Sequence, residues 1–176
     1  LLLHALAEIS ERFDTEKLRR AEIGFDDLLN RLDAALQGQS GERLAKTVRE
    51  QYPVALIDEF QDTDPVQYRI FESIYRIADN SPDSGLFMIG DPKQAIYAFR
   101  GADIYTYLSA RAATSGRHYT LGKNFRSTEA MVTAANRCFE FAEGHPRAAF
   151  RFAREGFANP VPFSAVLAKG REARLE

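Results

Sequence analysis

Apolar positions recur at helical spacing through the first third of the chain and then change period. Leu2, Leu6, Ile9 and Phe13 lie three or four residues apart, with charges gathering after Ser10, which predicts an amphipathic helix over residues 1 to about 22 with a packing stripe. Phe25, Leu28, Leu29, Leu32 and Leu36 form a second stripe, set off from the first by Gly24 and stopped at Gly38. Ser40 is placed to cap a third helix in which Leu44 and Val48 face inward while Arg43, Lys46 and Arg49 face solvent. Pro53 ends the helical region.

The run Val54-Ala55-Leu56-Ile57 has no polar alternation, so it predicts a strand buried on both faces, with a buried helical segment as the alternative. Asp64-Pro65-Val66-Gln67 then supplies an N-cap, a proline at the first helical position and a glutamine at the capping-box position. The helix it starts presents Val66, Ile70, Phe71, Ile74 and Ile77 on one face, as far as the turn-forming stretch Asn80 to Gly85. Leu86-Phe87-Met88-Ile89 is a second short apolar run. Strand, helix and strand in this order predict a βαβ unit, hence an α/β fold with a parallel sheet and flanking helices. Ligands in such sheets sit beyond the carboxyl ends of the strands, where Asp58, Glu59, Asp91 and Gln94 are expected to converge.

Farther along, Gly101-Ala102-Asp103 leads into a helix carrying Ile104, Tyr107 and Leu108, which Ser115-Gly116 closes. His118 to Leu121 reads as a third strand. Gly122 to Ser127 is a polar junction suited to a domain border, with Ser127 as cap of a helix carrying Met131, Val132, Ala135 and Phe139. After Gly144 the pattern fades among Pro146, Pro160 and Pro162, and only Val161 to Leu167 hints at a further strand.

Composition narrows the classes without choosing among them. At 45% hydrophobic and 27% charged residues, the 176-residue chain is ordinary for a globular domain. A net charge of -2 argues against a generally basic nucleic-acid coat, although it permits a local groove. The single Cys138 excludes an internal disulfide, and His4, His118 and His145 lack zinc-ligand spacing. No apolar run approaches the roughly 20 residues that span a bilayer, and no secretory signal is legible, so a cytoplasmic location is expected. The chain begins Leu-Leu-Leu, without Met, in what reads as the middle of a helix, so it is expected to be an internal piece of a longer protein.

Two acids after a buried strand suit nucleotide hydrolysis, one to hold Mg²⁺ and one to orient or deprotonate water. Such pairs also serve as helix caps and solvated turns. Gln94 and Arg126 have the chemistry to register a terminal phosphate and to neutralise charge developing on it, yet each also has an ordinary surface role. If the segment is extended, Tyr97 and Phe99 point the same way beside Arg100 and can stack on unpaired bases; packing in the core is the competing role.

The combination is more specific than its parts. Leu56-Ile57-Asp58-Glu59-Phe60-Gln61-Asp62-Thr63 resembles motif II (Walker B) of the UvrD/Rep class of superfamily 1 helicases. Ile89-Gly90-Asp91-Pro92-Lys93-Gln94-Ala95-Ile96-Tyr97-Ala98-Phe99-Arg100-Gly101-Ala102-Asp103 resembles its motif III, and Leu121-Gly122-Lys123-Asn124-Phe125-Arg126-Ser127 its motif IV. The wording of motif III is most similar to the helicase-nuclease branch of that class, and Gly24 to Leu29 also fits it. The resemblance weakens after about residue 145.

What the resemblance implies is a part of a RecA-like P-loop NTPase motor domain. Residues 1–23 would be a helical segment from the 1A/1B region, 24–120 the C-terminal part of motor domain 1A, and 121–176 the start of motor domain 2A. It implies Asp58 for Mg²⁺, Glu59 as water-activating base, Gln94 as γ-phosphate sensor, Arg126 as a phosphate contact and Phe125 against the nucleotide base. Tyr97, Phe99 and Arg100 match positions that contact single-stranded DNA. Many relatives carry Trp where Phe99 stands. The implied parent is an ATP-dependent 3′-to-5′ DNA helicase and exonuclease subunit of double-strand break repair and recombination, with sister subunits, ATP and Mg²⁺. A Walker A loop, G-x-x-x-x-G-K-[ST], is absent: Gly116 to Lys123 has five intervening residues and is followed by Asn124. The chain alone is therefore expected to be inactive, and a truncated sheet to favour self-association. The alternative is a stand-alone nucleic-acid-binding or interaction module on a partial motor fold.

Overall fold

The structure is a computed structural model that describes residues 2–150, 152 and 156–169, with Arg100 described by its backbone alone. The chain divides into two compact units, one built from residues 1–57 and 63–88 and the other from 58–62 and 89–176.

The first unit contains α1 (Leu2–Arg20), α2 (Phe25–Gln37), α3 (Gly41–Gln51), β1 (Val54–Ile57), α4 (Pro65–Tyr75) and β2 (Gly85–Met88). The capping box before α4 forms as its residues dictate. Asp64 Oδ1 accepts from the amides of Val66 and Gln67 at 2.7 and 2.8 Å, and Gln67 Oε1 accepts from the Asp64 amide at 3.2 Å. Helix α4 buries Ile70, Ile74 and Tyr75 against Leu36 of α2 and Ala45 of α3. Burial of side chains of this size contributes about 1.5–3 kcal/mol each, which makes this cluster the main support of the unit. Gly41 is required by proximity, since a Cβ there would lie 1.8 Å from the Leu36 carbonyl oxygen. On the surface Arg69 reaches Asp33 with two bonds of 2.8 and 2.6 Å, tying α4 to α2.

Strands β1 and β2 pair in parallel, Val54 opposite Gly85 and Ile57 opposite Met88, with α4 between them in sequence as the βαβ pattern requires. The second strand lies one residue earlier than the apolar run suggested. Among the described residues the strand is not covered on both faces: Val54 and Leu56 are 53% and 68% exposed, whereas Ala55 packs on the core. Helix α1 also departs from its expected packing role, as none of its residues is buried. Ser40 occupies the N-cap position of α3 without a side-chain capping bond. Arg49, expected to face solvent, folds back so that its guanidinium donates to the Ile74 carbonyl and to Glu42.

In the second unit, short 3₁₀ turns at Phe60–Asp62, Pro92–Gln94 and Ala98–Arg100 precede α5 (Ile104–Ala113), β3 (Lys123–Asn124), α6 (Glu129–Glu143) and β4 (Leu167–Ala168). His118 to Leu121 is not a strand. The strand lies two residues beyond that stretch, at Lys123–Asn124, where Leu167–Ala168 provides a parallel partner. The cap of α6 is Thr128 rather than Ser127, because it is the Thr128 hydroxyl that accepts from the Met131 amide. Described residues after Gly144, where the pattern fades, pack back on α6: Asn136 bonds both the carbonyl and the amide of Val166, at 2.8 and 3.3 Å, and Phe139 stacks with Phe150 and Phe163, while the strand hinted at over Val161 to Leu167 forms only at Leu167–Ala168. Those contacts join residues far apart in sequence, so no local periodicity announces them. No helix among the described residues is long and apolar enough to cross a membrane.

Candidate active site

The candidate chemistry lies in the second unit and starts from a strained residue. Glu59 has φ 51°, a left-handed conformation that side chains other than glycine and asparagine adopt at a cost of about 1–3 kcal/mol. Local bonds hold it there. Its amide donates to Asp58 Oδ1 at 2.9 Å, and its carbonyl accepts from the Asp62 amide at 2.9 Å, closing the turn Phe60–Asp62. Phe60 is buried, with its ring centroid 5.9 Å from that of Tyr107 on α5, and its amide donates to the Ile89 carbonyl at 2.8 Å. The acidic turn is thus fixed at once by packing and by backbone bonds to the following motif.

Gln61 completes the attachment. It is 2% exposed, and both ends of its amide are used: Nε2 donates to Glu59 Oε2 at 2.6 Å, while Oε1 accepts from the Asp91 amide at 2.9 Å. Only this orientation satisfies both partners, because a carboxylate accepts and a backbone N–H donates. Gly90 is what leaves room for it. A Cβ at that position would fall 2.7 Å from Gln61 Oε1 and 3.1 Å from the amide nitrogens of Phe60 and Gln61.

The arrangement continues through Asp91. Its side chain caps the turn Pro92–Gln94 through the Lys93 amide at 3.0 Å, pairs with Lys93 Nζ at 2.7 Å and accepts from Gln94 Nε2 at 3.2 Å. Burial pushes the Asp91 carboxyl up, but the Lys93 ammonium and amide together with the Gln94 amide outweigh it and hold the group below its usual range. Glu59, Gln61, Asp91 and Gln94 therefore form one continuous hydrogen-bonded row, with the exposed Asp58 at its head.

Of the residues singled out in the sequence, Asp58, Glu59, Asp91 and Gln94 are brought together. Tyr97 and Phe99 are not extended, since a 3₁₀ turn occupies Ala98–Arg100; their ring centroids nevertheless lie 5.9 Å apart at 55°, with Phe99 77% exposed. The Arg100 side chain lies outside the described residues. Phe125 and Arg126 stand on a separate turn after β3, where Asn124 Oδ1 accepts from the amides of Arg126 and Ser127 at 2.9 and 2.8 Å. Lys169 Nζ lies 5.7 Å from the Phe125 ring centroid. Gln61, which joins Glu59 to Asp91, is not among the residues the sequence singles out. Its only sequence signal was a polar side chain inside an otherwise acidic motif.

Among the described residues no three acidic, histidine or cysteine side chains cluster as a metal cage. Mg²⁺ at nucleotide sites takes one or two carboxylates and completes its shell with phosphate oxygens and water, so the exposed Asp58 carboxylate fits it as a protein ligand. On the same turn, Asp62 Oδ1 is buried with no hydrogen-bond partner among the described residues.

Residues 2–114 match the UvrD/REP helicase N-terminal domain. The chain belongs to that family. It is 50% identical over 175 residues to the RecBCD enzyme subunit RecB of Escherichia coli, an alignment covering 99% of this chain and 14% of that protein. RecB of Haemophilus influenzae is 49% identical over 143 residues, 81% of this chain and 12% of the relative. RecB of Mycolicibacterium smegmatis is 46% identical over 125 residues, 71% and 11% respectively. The chain thus spans about a seventh or less of the length of these curated relatives. In this UvrD/REP family member, the row from Glu59 to Gln94 falls wholly inside the matched residues, whereas Phe125 and Arg126 lie beyond them.

Proposed function

We propose that the chain carries the hydrolytic and DNA-coupling motifs of an ATP-dependent 3′-to-5′ DNA helicase and exonuclease subunit acting in double-strand break repair and recombination. The fold reading that accompanies it is a RecA-like motor: residues 1–23 from the 1A/1B region, 24–120 from domain 1A, and 121–176 opening domain 2A. The observation that carries the proposal is the hydrogen-bonded row through Gln61, which joins the acidic turn at Glu59 to the loop bearing Gln94. An isolated acidic cap would need no such tie.

Bound Mg²⁺ supplies charge neutralisation on the ATP phosphates, with Asp58 as its protein ligand. Glu59 receives the proton of the attacking water; its carboxylate is exposed, so it is accessible to water, and Gln61 holds one of its oxygens. Gln94 registers the terminal phosphate through an amide now held by Asp91, and Arg126 contributes positive charge from the motif IV turn while Phe125 packs on the base. Tyr97 and Phe99 offer ring faces to successive bases, and Arg100 a phosphate contact, within the segment that begins at Gln94. Sensing and DNA contact thereby share one short stretch of chain. RecC-like and RecD-like subunits and duplex DNA ends are the partners this reading carries, and the 176 residues alone, without a phosphate-cradling loop, do not turn over ATP.

Glu59→Gln in the full-length subunit tests the reading. The variant is expected to keep ATP binding and to lose DNA-stimulated hydrolysis by a factor of about 10²–10⁴, the usual contribution of a positioned base. Unchanged turnover removes Glu59 from its role and, with it, the motor reading of this chain.

A further inference from the structure

The acidic pair and the phosphate sensor account for the exposed members of the row, but not for its buried centre. A glutamine only 2% exposed is retained at a cost unless both ends of its amide are bonded, and here they are bonded to two different motifs. Three features of the molecule are arranged around that amide. Glu59 accepts a strained φ of 51°, Gly90 leaves out the Cβ that would strike Gln61 Oε1 at 2.7 Å, and the Phe60 amide bonds the Ile89 carbonyl at 2.8 Å alongside. A side chain serving only to fill space would require none of these.

We propose that Gln61 is a positioning residue that fixes the orientation of the Glu59 carboxylate and ties it to the loop of Asp91 and Gln94. The inference rests on the hydrolytic reading of Glu59 and adds what that reading lacks, a physical link between the base and the sensor. Its action is on geometry. The Nε2 donor takes one carboxylate oxygen at 2.6 Å and limits rotation of the group, and the Oε1 acceptor fixes the same amide to the Asp91 backbone. Displacement of the loop at Asp91 is therefore felt at Glu59 without a direct contact between them.

Two substitutions separate positioning from packing. Gln61→Glu keeps the shape and the acceptor for the Asp91 amide but replaces the donor facing Glu59 with an acceptor; Gln61→Met keeps the volume and removes both bonds. In the full-length subunit assembled with its partners, kcat for DNA-stimulated ATP hydrolysis is expected to fall about tenfold to a hundredfold in both, the scale of losing a residue that orients a reacting group. Affinity for a non-hydrolysable ATP analogue is expected to hold, whereas affinity for ADP with aluminium fluoride, which mimics the transition state, falls alongside kcat. Wild-type kcat in either folded variant overturns the proposal. So does an equal loss of ground-state analogue affinity and melting temperature, which marks a packing role. Should both variants unfold, Gly90→Ala, which displaces the amide from outside, gives the same three readings. Glu59→Gln run in parallel keeps the two readings apart: turnover surviving there refutes the hydrolytic assignment, while turnover lost there but kept in Gln61→Glu refutes only the role of Gln61.

Discussion

Replacement of Gly90 by alanine adds one methyl group to an exposed backbone position, yet it is expected to loosen the centre of the site. The added carbon would sit 2.7 Å from Gln61 Oε1 and 3.1 Å from two amide nitrogens. The oxygen is the softer obstacle, but Gln61 is 2% exposed and cannot swing into solvent, so relief comes by giving up the 2.9 Å bond from the Asp91 amide. Leaving such a donor without its partner costs about 1–3 kcal/mol, and each 1.4 kcal/mol is a factor of about ten. Amide exchange at Asp91 should therefore quicken by about five- to 150-fold through local opening, measured by hydrogen exchange over residues 89–95 in the full-length protein. Gly122 supplies the control, since a Cβ there meets nothing within 4 Å, and Gly122→Ala should leave that exchange unchanged. Equal exchange in the two variants would refute the claim that Gly90 is kept to make room for Gln61.

Phe99→Ala in the full-length subunit should weaken binding of an oligo-dT strand by about 1–3 kcal/mol in a fluorescence anisotropy titration, because its ring is largely exposed beside Tyr97, while Phe99→Trp preserves binding. Acid should destabilise the fold through carboxylates whose folded pKa is depressed, among them Asp33 by Arg69, Glu42 by Arg76 and then Arg49, and Asp91, where burial is outweighed by Lys93 and Gln94. Each binds its proton less readily folded than unfolded, so its stabilisation is full above the ordinary carboxylate range near pH 4 and is lost as pH falls through the folded values. Melting temperature followed downward from neutral pH should stay level and then drop below about pH 4, and a profile that rises on acidification would contradict the assignment.

The parts of the fold legible in the sequence were those fixed by neighbours in the chain. Asp64-Pro65-Val66-Gln67 encodes its capping box within four residues, and the helix starts there. Val54–Ile57 and the run after Gly85 are apolar, short and bounded by turn formers, and they pair as expected. What escaped depends on residues distant in sequence. His118 to Leu121 has strand-like composition, but a two-residue strand forms only at Lys123–Asn124, where Leu167–Ala168 pairs with it, and the Asn124 side chain turns the chain directly afterwards. Exposure of Val54 and Leu56 was equally invisible, because apolarity records what a face is suited to and not what covers it.

The same limit explains why the acids were recognised before Gln61. Carboxylates at a strand end announce chemistry by type and spacing, whereas the place of Gln61 depends on an acceptor two residues before it and a donor thirty residues after it. Once those bonds are drawn, several separate oddities acquire one cause. Glu59 keeps a left-handed backbone while its carboxylate meets a buried amide; the space a Gly90 side chain would need is filled by that amide; and Asp91 offers its backbone to Gln61 while its carboxylate holds Lys93 and Gln94. A carboxylate needed only as a cap could relax its backbone and dispense with the glutamine. On the proposed reading, the strain at Glu59 is the cost of holding its carboxylate in register with the loop of Asp91 and Gln94, and the buried amide is the part that makes the register rigid.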